Sequence, residues 1–280
     1  MDEQEFNRIK NMSQEEAEAY LNELNACDHD CSSCTANCEE NTNLTPRLAK
    51  RIIGVYGGKG GVGVSAVTVQ LASAFAKLGL KTCIIDADIS GCSIPHMLGV
   101  TESASNDGEK VNPVKAANGV SFVSMASILS QTDEPIYYPG TDLARMAGFF
   151  YIGSNWDADM DIMLIDLPSG DNDVVLDFFT TIPFDGAVIV TTPGKLAVDP
   201  TKRAINLASM LMIPVYGLVE NFSVDPGQEH ITELYGDMPL LAALPRSEAI
   251  ADAADEGRLA ECGTALFETL ASAIAEDLKK

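Results

Sequence analysis

From Arg51 onward the chain alternates short apolar runs with longer stretches of helical period. The runs are RIIGVYG, KTCIIDAD, GVSFVSM, DIMLIDLP, GAVIVTTP, IPVYGLVEN and PLLAALP. Strand-length runs separated by helices predict βαβ units and a mostly parallel sheet with helices on both faces, a three-layer α/β sandwich. IIGVY, IMLID and AVIVT are apolar almost without interruption, the pattern of strands buried on both faces. Several of the runs close on Gly, Asp, Thr or Asn, residues suited to a crevice at the carboxyl edge, where a ligand is expected. SAVTVQLASAFAKLG reads as the helix after the first strand, closed by Gly79. In the last helical stretch, Phe267, Leu270, Ala271, Ile274 and Leu278 share one face. The opposite face is mostly acidic, so the stripe predicts packing on the sheet and not a membrane anchor. TESASNDGEKVNPVKAANG, rich in polar and turn residues, reads as a mobile loop.

The first 48 residues have another character. They are acid-rich and nearly free of branched aliphatics, apart from a helix expected after Ser13, which caps QEEAEAYLNEL with Glu16 closing a capping box. The division expected is therefore a tail over residues 1–48 and a folded domain over 49–280. Across all 280 residues the net charge is −23, with 46% hydrophobic content. That charge repels polyanions, so neither nucleic acid nor anionic membrane is expected as a partner. MDEQEFNRIKNMSQEEAEAY has neither the basic start nor the apolar core of a secretory signal, and a cytoplasmic protein is expected.

Four of the seven cysteines crowd into CDHDCSSCTANC: Cys27, Cys31, Cys34 and Cys38, spaced C-x3-C-x2-C-x3-C. Under reducing conditions crowded thiols read as metal ligands or redox groups. Four thiolates in one short segment suit either a [4Fe-4S] cluster or tetrahedral zinc, and His29 offers a nitrogen alternative. Cys83, Cys92 and Cys262 are scattered. His96, His230 and Trp156 stand alone and are assigned no role.

After the first strand comes Gly58, Lys59, Gly60, Gly61, Val62, Gly63, Val64, Ser65, followed by Ala66. This matches G-x-x-x-x-G-K-[ST] at every fixed position except the lysine, where Val64 stands. The glycines allow backbone N–H groups to turn around phosphate oxygens, and the next helix adds the positive end of its dipole. Ser65 offers a hydroxyl to Mg²⁺. The residues predict a phosphate cradle with one charge missing.

The chain resembles the Mrp/ApbC family of MinD-like, deviant Walker A P-loop ATPases, which carry or scaffold iron-sulfur clusters. In that family the loop reads GKGGVGKS, with an early signature lysine matched by Lys59. The resemblance continues through DADISGCSIPHMLG, DIMLIDLPSGDND, GAVIVTTP, GLVENFS and PLLAALP, in family order over most of residues 50–260. It implies the P-loop NTPase fold and an ATP-binding cluster carrier with ATP, Mg²⁺ and an iron-sulfur cluster as cofactors. Lys59 then reaches phosphates across a dimer interface, Ser65 and Asp166 hold Mg²⁺, Asp88 orients the attacking water and Asn221 contacts adenine. The resemblance also favours iron-sulfur over zinc for the cysteine tail, and apo iron-sulfur proteins as recipients.

Two departures qualify what carries over. Losing a preorganised phosphate charge at Val64 commonly costs about 2–4 kcal/mol in the transition state, so ATP hydrolysis is expected to be slow or absent. NFSVDPGQEH lacks the C-x-x-C pair with which family members bridge a cluster between subunits. The alternative reading is a hydrolysis-deficient subunit that donates Lys59 in trans to an intact Mrp-like paralogue, as a heterodimer and not a homodimer.

Overall fold

The computed structural model describes residues 45–129, 136, 140–224, 228–262 and 264–278. The helix expected after Ser13 and the four clustered cysteines lie outside them. The compact unit runs Thr45–Lys280. Its first residues are anchored: Tyr151 Oη donates to Pro46 O at 2.6 Å, and Arg47 pairs with Asp185 at 2.8 Å.

All seven expected strands form. β1 (Arg51–Tyr56), β2 (Thr82–Asp86), β6 (Ser121–Val123), β7 (Ile162–Asp166), β8 (Gly186–Thr191), β9 (Val215–Ser223) and β10 (Leu240–Pro245) join one eight-stranded sheet with β5 (Val114–Lys115). The order is β10-β9-β8-β1-β7-β2-β6-β5, parallel throughout except that β5 runs antiparallel to β6. β1 lies in the middle, between β7 and β8, so the chain leaves it in both directions across the sheet. That is the switch point at which open parallel sheets bind ligands.

Alternate residues of the buried strands feed two cores. Ile52, Tyr56, Ile85, Ile165 and Ile189 face α3 (Gly140–Ile152), α4 (Asp173–Thr181) and α5 (Lys195–Met210) through Phe150, Phe178 and Ala204. Ile53, Val55, Ile84, Leu164 and Val188 face α1 (Val64–Lys77) and α8 (Glu268–Asp277). In α8 the expected stripe is core: Ala271 is fully buried, Leu270 nearly so, and Ile274 and Leu278 pack against the same cluster. The remaining helices are α2 (Ile94–Met97), α6 (Gln228–Tyr235) and α7 (Glu248–Asp255). Among the described residues no helix is long and apolar enough to cross a membrane.

The stretch 101–119 departs from the mobile loop expected of it. It holds a small hairpin of β3 (Ser105–Asn106) and β4 (Val111–Asn112), and then β5, which edges the main sheet. Turn residues here make a turn: Asp107 Oδ1 accepts the N–H groups of Glu109 and Lys110 at 3.0 and 2.8 Å. These bonds and one from Asn155 bring the Asp107 carboxyl down to about 2.

Candidate functional site

The glycine loop leaves β1 at Gly57 and enters α1 at Gly63, whose φ of 91° lies in the left-handed region. A side chain there is strained by the backbone, and its Cβ would stand 2.3 Å from Asn221 Nδ2, which would have to move. At Gly58 a Cβ would stand 2.0 Å from Pro200 O, so the loop lies directly on the backbone of α5. α1 begins without a side-chain cap and without an acidic residue in its first turn. Its first N–H groups therefore have no competing side-chain anion, which suits them to phosphate.

A cleft of about 190 Å³ opens in front of the loop, lined by Gly61, Gly63, Val64, Ser65, Ala66, Asp88, Met97, Leu167 and Ser169. Val64 is only 7% exposed. It packs in the core beside Val62 and also lines the cleft, where the loop motif has its lysine. Gly60 is exposed, as is Lys59, which makes no ion pair among the described residues. It is the loop's one cation.

Beneath the cleft lie two carboxylates. The parallel register sets Asp86, ending β2, directly beside Asp166, ending β7. Thr68 Oγ1 on α1 donates to Asp166 Oδ1 at 2.8 Å, and the Ser65 hydroxyl lies near enough to favour the ionised carboxyl. Asp166 Oδ2 is buried with no partner. Burial, with a smaller contribution from the Asp88 charge, pushes the Asp166 carboxyl up to about 7 against the lowering effect of the two hydroxyls. Asp86 Oδ2 accepts from Ser124 Oγ at 2.7 Å and Ile94 N at 3.4 Å, whereas its Oδ1 has no partner. Burial first, and the neighbouring Asp166 second, raise Asp86 well above the carboxylate range.

Orphaned buried oxygens are costly, and they mark places where a ligand can complete the coordination. Hard oxygen donors from an aspartate and a serine, with the phosphate-facing amides adjacent, fit Mg²⁺ and its preference for few carboxylates plus phosphate oxygens. Asp88 lies at the cleft mouth, its Oδ1 accepting Gly91 N at 3.0 Å. Asn221, on β9, is turned toward the loop: its Nδ2 donates to Val62 O at 2.9 Å and its Oδ1 accepts the N–H of Phe222, which has φ of 58°.

The structure thus brings Gly58 to Ala66, Asp88, Asp166 and Asn221 to one edge of the sheet. Among the described residues no three His, Cys, Asp or Glu side chains gather as a metal group. Cys83 is buried, and Cys92 and Cys262 are half-buried. Burial, aided by Asp86, pushes the Cys92 thiol up to about 11, which leaves it a poor nucleophile. Sequence reasoning missed Thr68 and the pairing of Asp86 with Asp166. The signal available was the shared ending of TCIID and IMLID.

A family model described as NUBPL iron-transfer P-loop NTPase, of the ParA group, matches residues 48–278. The chain belongs to this family. An iron-sulfur cluster carrier protein of Deinococcus radiodurans is 36% identical over 221 residues, 74% of this chain. The chain spans 62% of that relative's length. A protein of the same description from Clostridium perfringens is 32% identical over 259 residues, covering 82% of this chain and 90% of the relative. Among solved structures, a nucleotide-binding protein of Archaeoglobus fulgidus in complex with ADP superposes with a TM-score of 0.66 at 30% identity, over 79% of this chain and 92% of that one. MinD of Pyrococcus furiosus, at 20% identity and a TM-score of 0.62 over 82% and 99%, shares the fold. The mostly parallel P-loop sandwich is thus the architecture of the NUBPL-type family member described here. Its loop carries valine where the P-loop motif has lysine.

Proposed function

We propose that this NUBPL-type protein is an ATP-binding iron-sulfur cluster carrier that hands clusters to apo iron-sulfur proteins and hydrolyses ATP slowly or not at all. The observation that carries the nucleotide half is the open, buried Asp166 oxygen beside Ser65, under a glycine loop whose helix N-terminus is uncapped. The amides of Gly58 to Ala66 bind the phosphates. Ser65 and Asp166 would hold Mg²⁺, which when bound neutralises phosphate charge. Asp88 orients a water at the cleft mouth, and Asn221 braces the loop on the side where adenine binds. Lys59, exposed and unpaired, is disposed to serve phosphates across a homodimer interface. The apolar Val64 leaves the site without its own phosphate-directed cation, and that favours retention of nucleotide over turnover.

The cargo half rests on Cys27, Cys31, Cys34 and Cys38, whose spacing suits one [4Fe-4S] cluster per chain, in a cytoplasmic protein. Support comes from the relatives' description as carriers. The same description weighs for a carrier over a hydrolysis-deficient partner subunit. The test is anaerobic reconstitution with iron and sulfide analysis of the full chain. About four irons per chain with visible charge-transfer absorbance, lost in Cys31→Ala and Cys34→Ala, is the expected result. Zinc alone, or no colour, rejects the cargo half. Calorimetry with ATP and Mg²⁺ tests the nucleotide half separately.

A further inference from the structure

Tyr56 is the last residue of β1, next to the glycine loop, and is fully buried. Its ring stands edge-on to Phe179 of α4, with centroids 5.8 Å apart at 86°, so packing fixes where its hydroxyl can point. That hydroxyl donates to Asp171 Oδ1 at 3.0 Å. Burial, and then Asp171, push the phenol above its usual range, so it remains a neutral donor.

Asp171 belongs to the loop joining β7 to α4. Leu167 and Ser169 of this loop wall the phosphate cleft. Pro168 and Asn172 wall an adjoining cavity of about 270 Å³, which Asp88 shares. The loop's backbone is tied to the β1 end through Leu167 N to Val55 O at 3.0 Å and Gly170 N to Gly57 O at 2.9 Å. The bonds of Asn172 are local and travel with the loop: its amide reaches Ser169 O and Gly170 O, and its Oδ1 caps α4. Leu167 packs in the core beside β1, and among the described residues the loop's side-chain hydrogen bond to that strand is Tyr56 to Asp171.

We propose that Tyr56 is a positioning residue that clamps the 167–172 loop against the glycine loop before nucleotide arrives, and so sets how fast a bound nucleotide leaves. The second half of this statement rests on the nucleotide reading above. A wall already in place costs no ordering when the ligand enters, and release requires the wall to open. The hydrogen bond joins a buried donor to an exposed loop residue, so its loss acts on opening and leaves the core packing intact.

The test uses hydrogen–deuterium exchange of the full chain together with stopped-flow release of mant-ADP in Mg²⁺. In nucleotide-free Tyr56→Phe, exchange in a peptide spanning 167–173 should quicken about tenfold, with β10 unchanged, as expected for removal of one hydrogen bond to an aspartate. Release of mant-ADP should quicken by a similar factor. Asp171→Asn keeps an acceptor oxygen and should stay within about twofold of the parent, while Asp171→Ala should match Tyr56→Phe. Parent-like exchange at 167–173 in Tyr56→Phe overturns the clamp, as does equal behaviour of Asp171→Asn and Asp171→Ala. A rise spread over the whole sheet overturns it too, since that is what a merely structural role produces. Faster exchange with unchanged release overturns the link to nucleotide. If the parent chain binds no mant-ADP, the nucleotide reading is what fails, and the exchange result still decides the clamp.

Discussion

Two acidic corners lie on the carboxyl edge of one sheet and are finished differently. At the end of β9 the Glu220 side chain, 3% exposed, accepts from Ser223 Oγ at 2.6 Å and faces His230 Nε2 of α6 at 3.7 Å. Nearby, Thr191 bonds Thr201 at 2.8 Å and Tyr235 at 3.2 Å, so polar groups tie α5 and α6 to the strands. At the ends of β2 and β7, Asp86 and Asp166 are as deeply buried, yet each has one oxygen without a partner. The carboxylate of the first corner is engaged by a hydroxyl of its own strand and faces a histidine of α6 whose Nε2 makes no hydrogen bond. The second corner leaves acceptor capacity unused beneath the glycine loop, at a cost that a bound cation would offset.

The largest effect separating the corners is expected on stability. Glu220→Ala leaves the Ser223 hydroxyl without its acceptor and removes the carboxylate that faces His230, and should cost about 3 kcal/mol in urea unfolding, with Mg²⁺-dependent nucleotide affinity unchanged. A cost below about 1 kcal/mol would mean that Glu220 does not close its corner. Asp166→Ala should act the other way, weakening ATP binding about 100-fold in Mg²⁺, or about 2.8 kcal/mol, and hardly at all in chelator. Mg²⁺ dependence that survives this change, measured by calorimetry, breaks the comparison.

Val64→Lys returns a cation to the open corner. Steady-state phosphate release should rise about 100-fold over the parent, the scale of one preorganised charge at a transition state. No rise would mean that Asp88 and the rest of the cleft are not set for hydrolysis. The smallest effect belongs to Asp86→Asn. The amide oxygen can still accept from Ser124 and Ile94, and the group it replaces is already held well toward the neutral acid, so stability should stay within about 1 kcal/mol of the parent. A loss of several kcal/mol in thermal unfolding would show that Asp86 is held as the anion.

Much of the fold was legible because its signals are local. Continuous apolar runs such as IMLID mark strands covered on both faces, and the α8 stripe repeats with the helical turn. The glycine loop was legible for the same reason, since its spacing within one turn is its function. The 101–119 hairpin was misread because turn-forming residues signal a reversal without saying whether the flanking residues pair. Thr68 as a donor to Asp166, and Tyr56 as the partner of Asp171, left no such trace.

By itself, then, the sequence determined the strands, the helices, the phosphate-loop backbone and the absence of lysine at position 64, all of which depend on residues adjacent in the chain. Tertiary structure alone decided that β7 enters the sheet between β1 and β2, which sets Asp166 beside Asp86 although 80 positions separate them. Strand order and register arise from hydrogen bonds and core packing summed across the whole sheet, and no short segment encodes that sum.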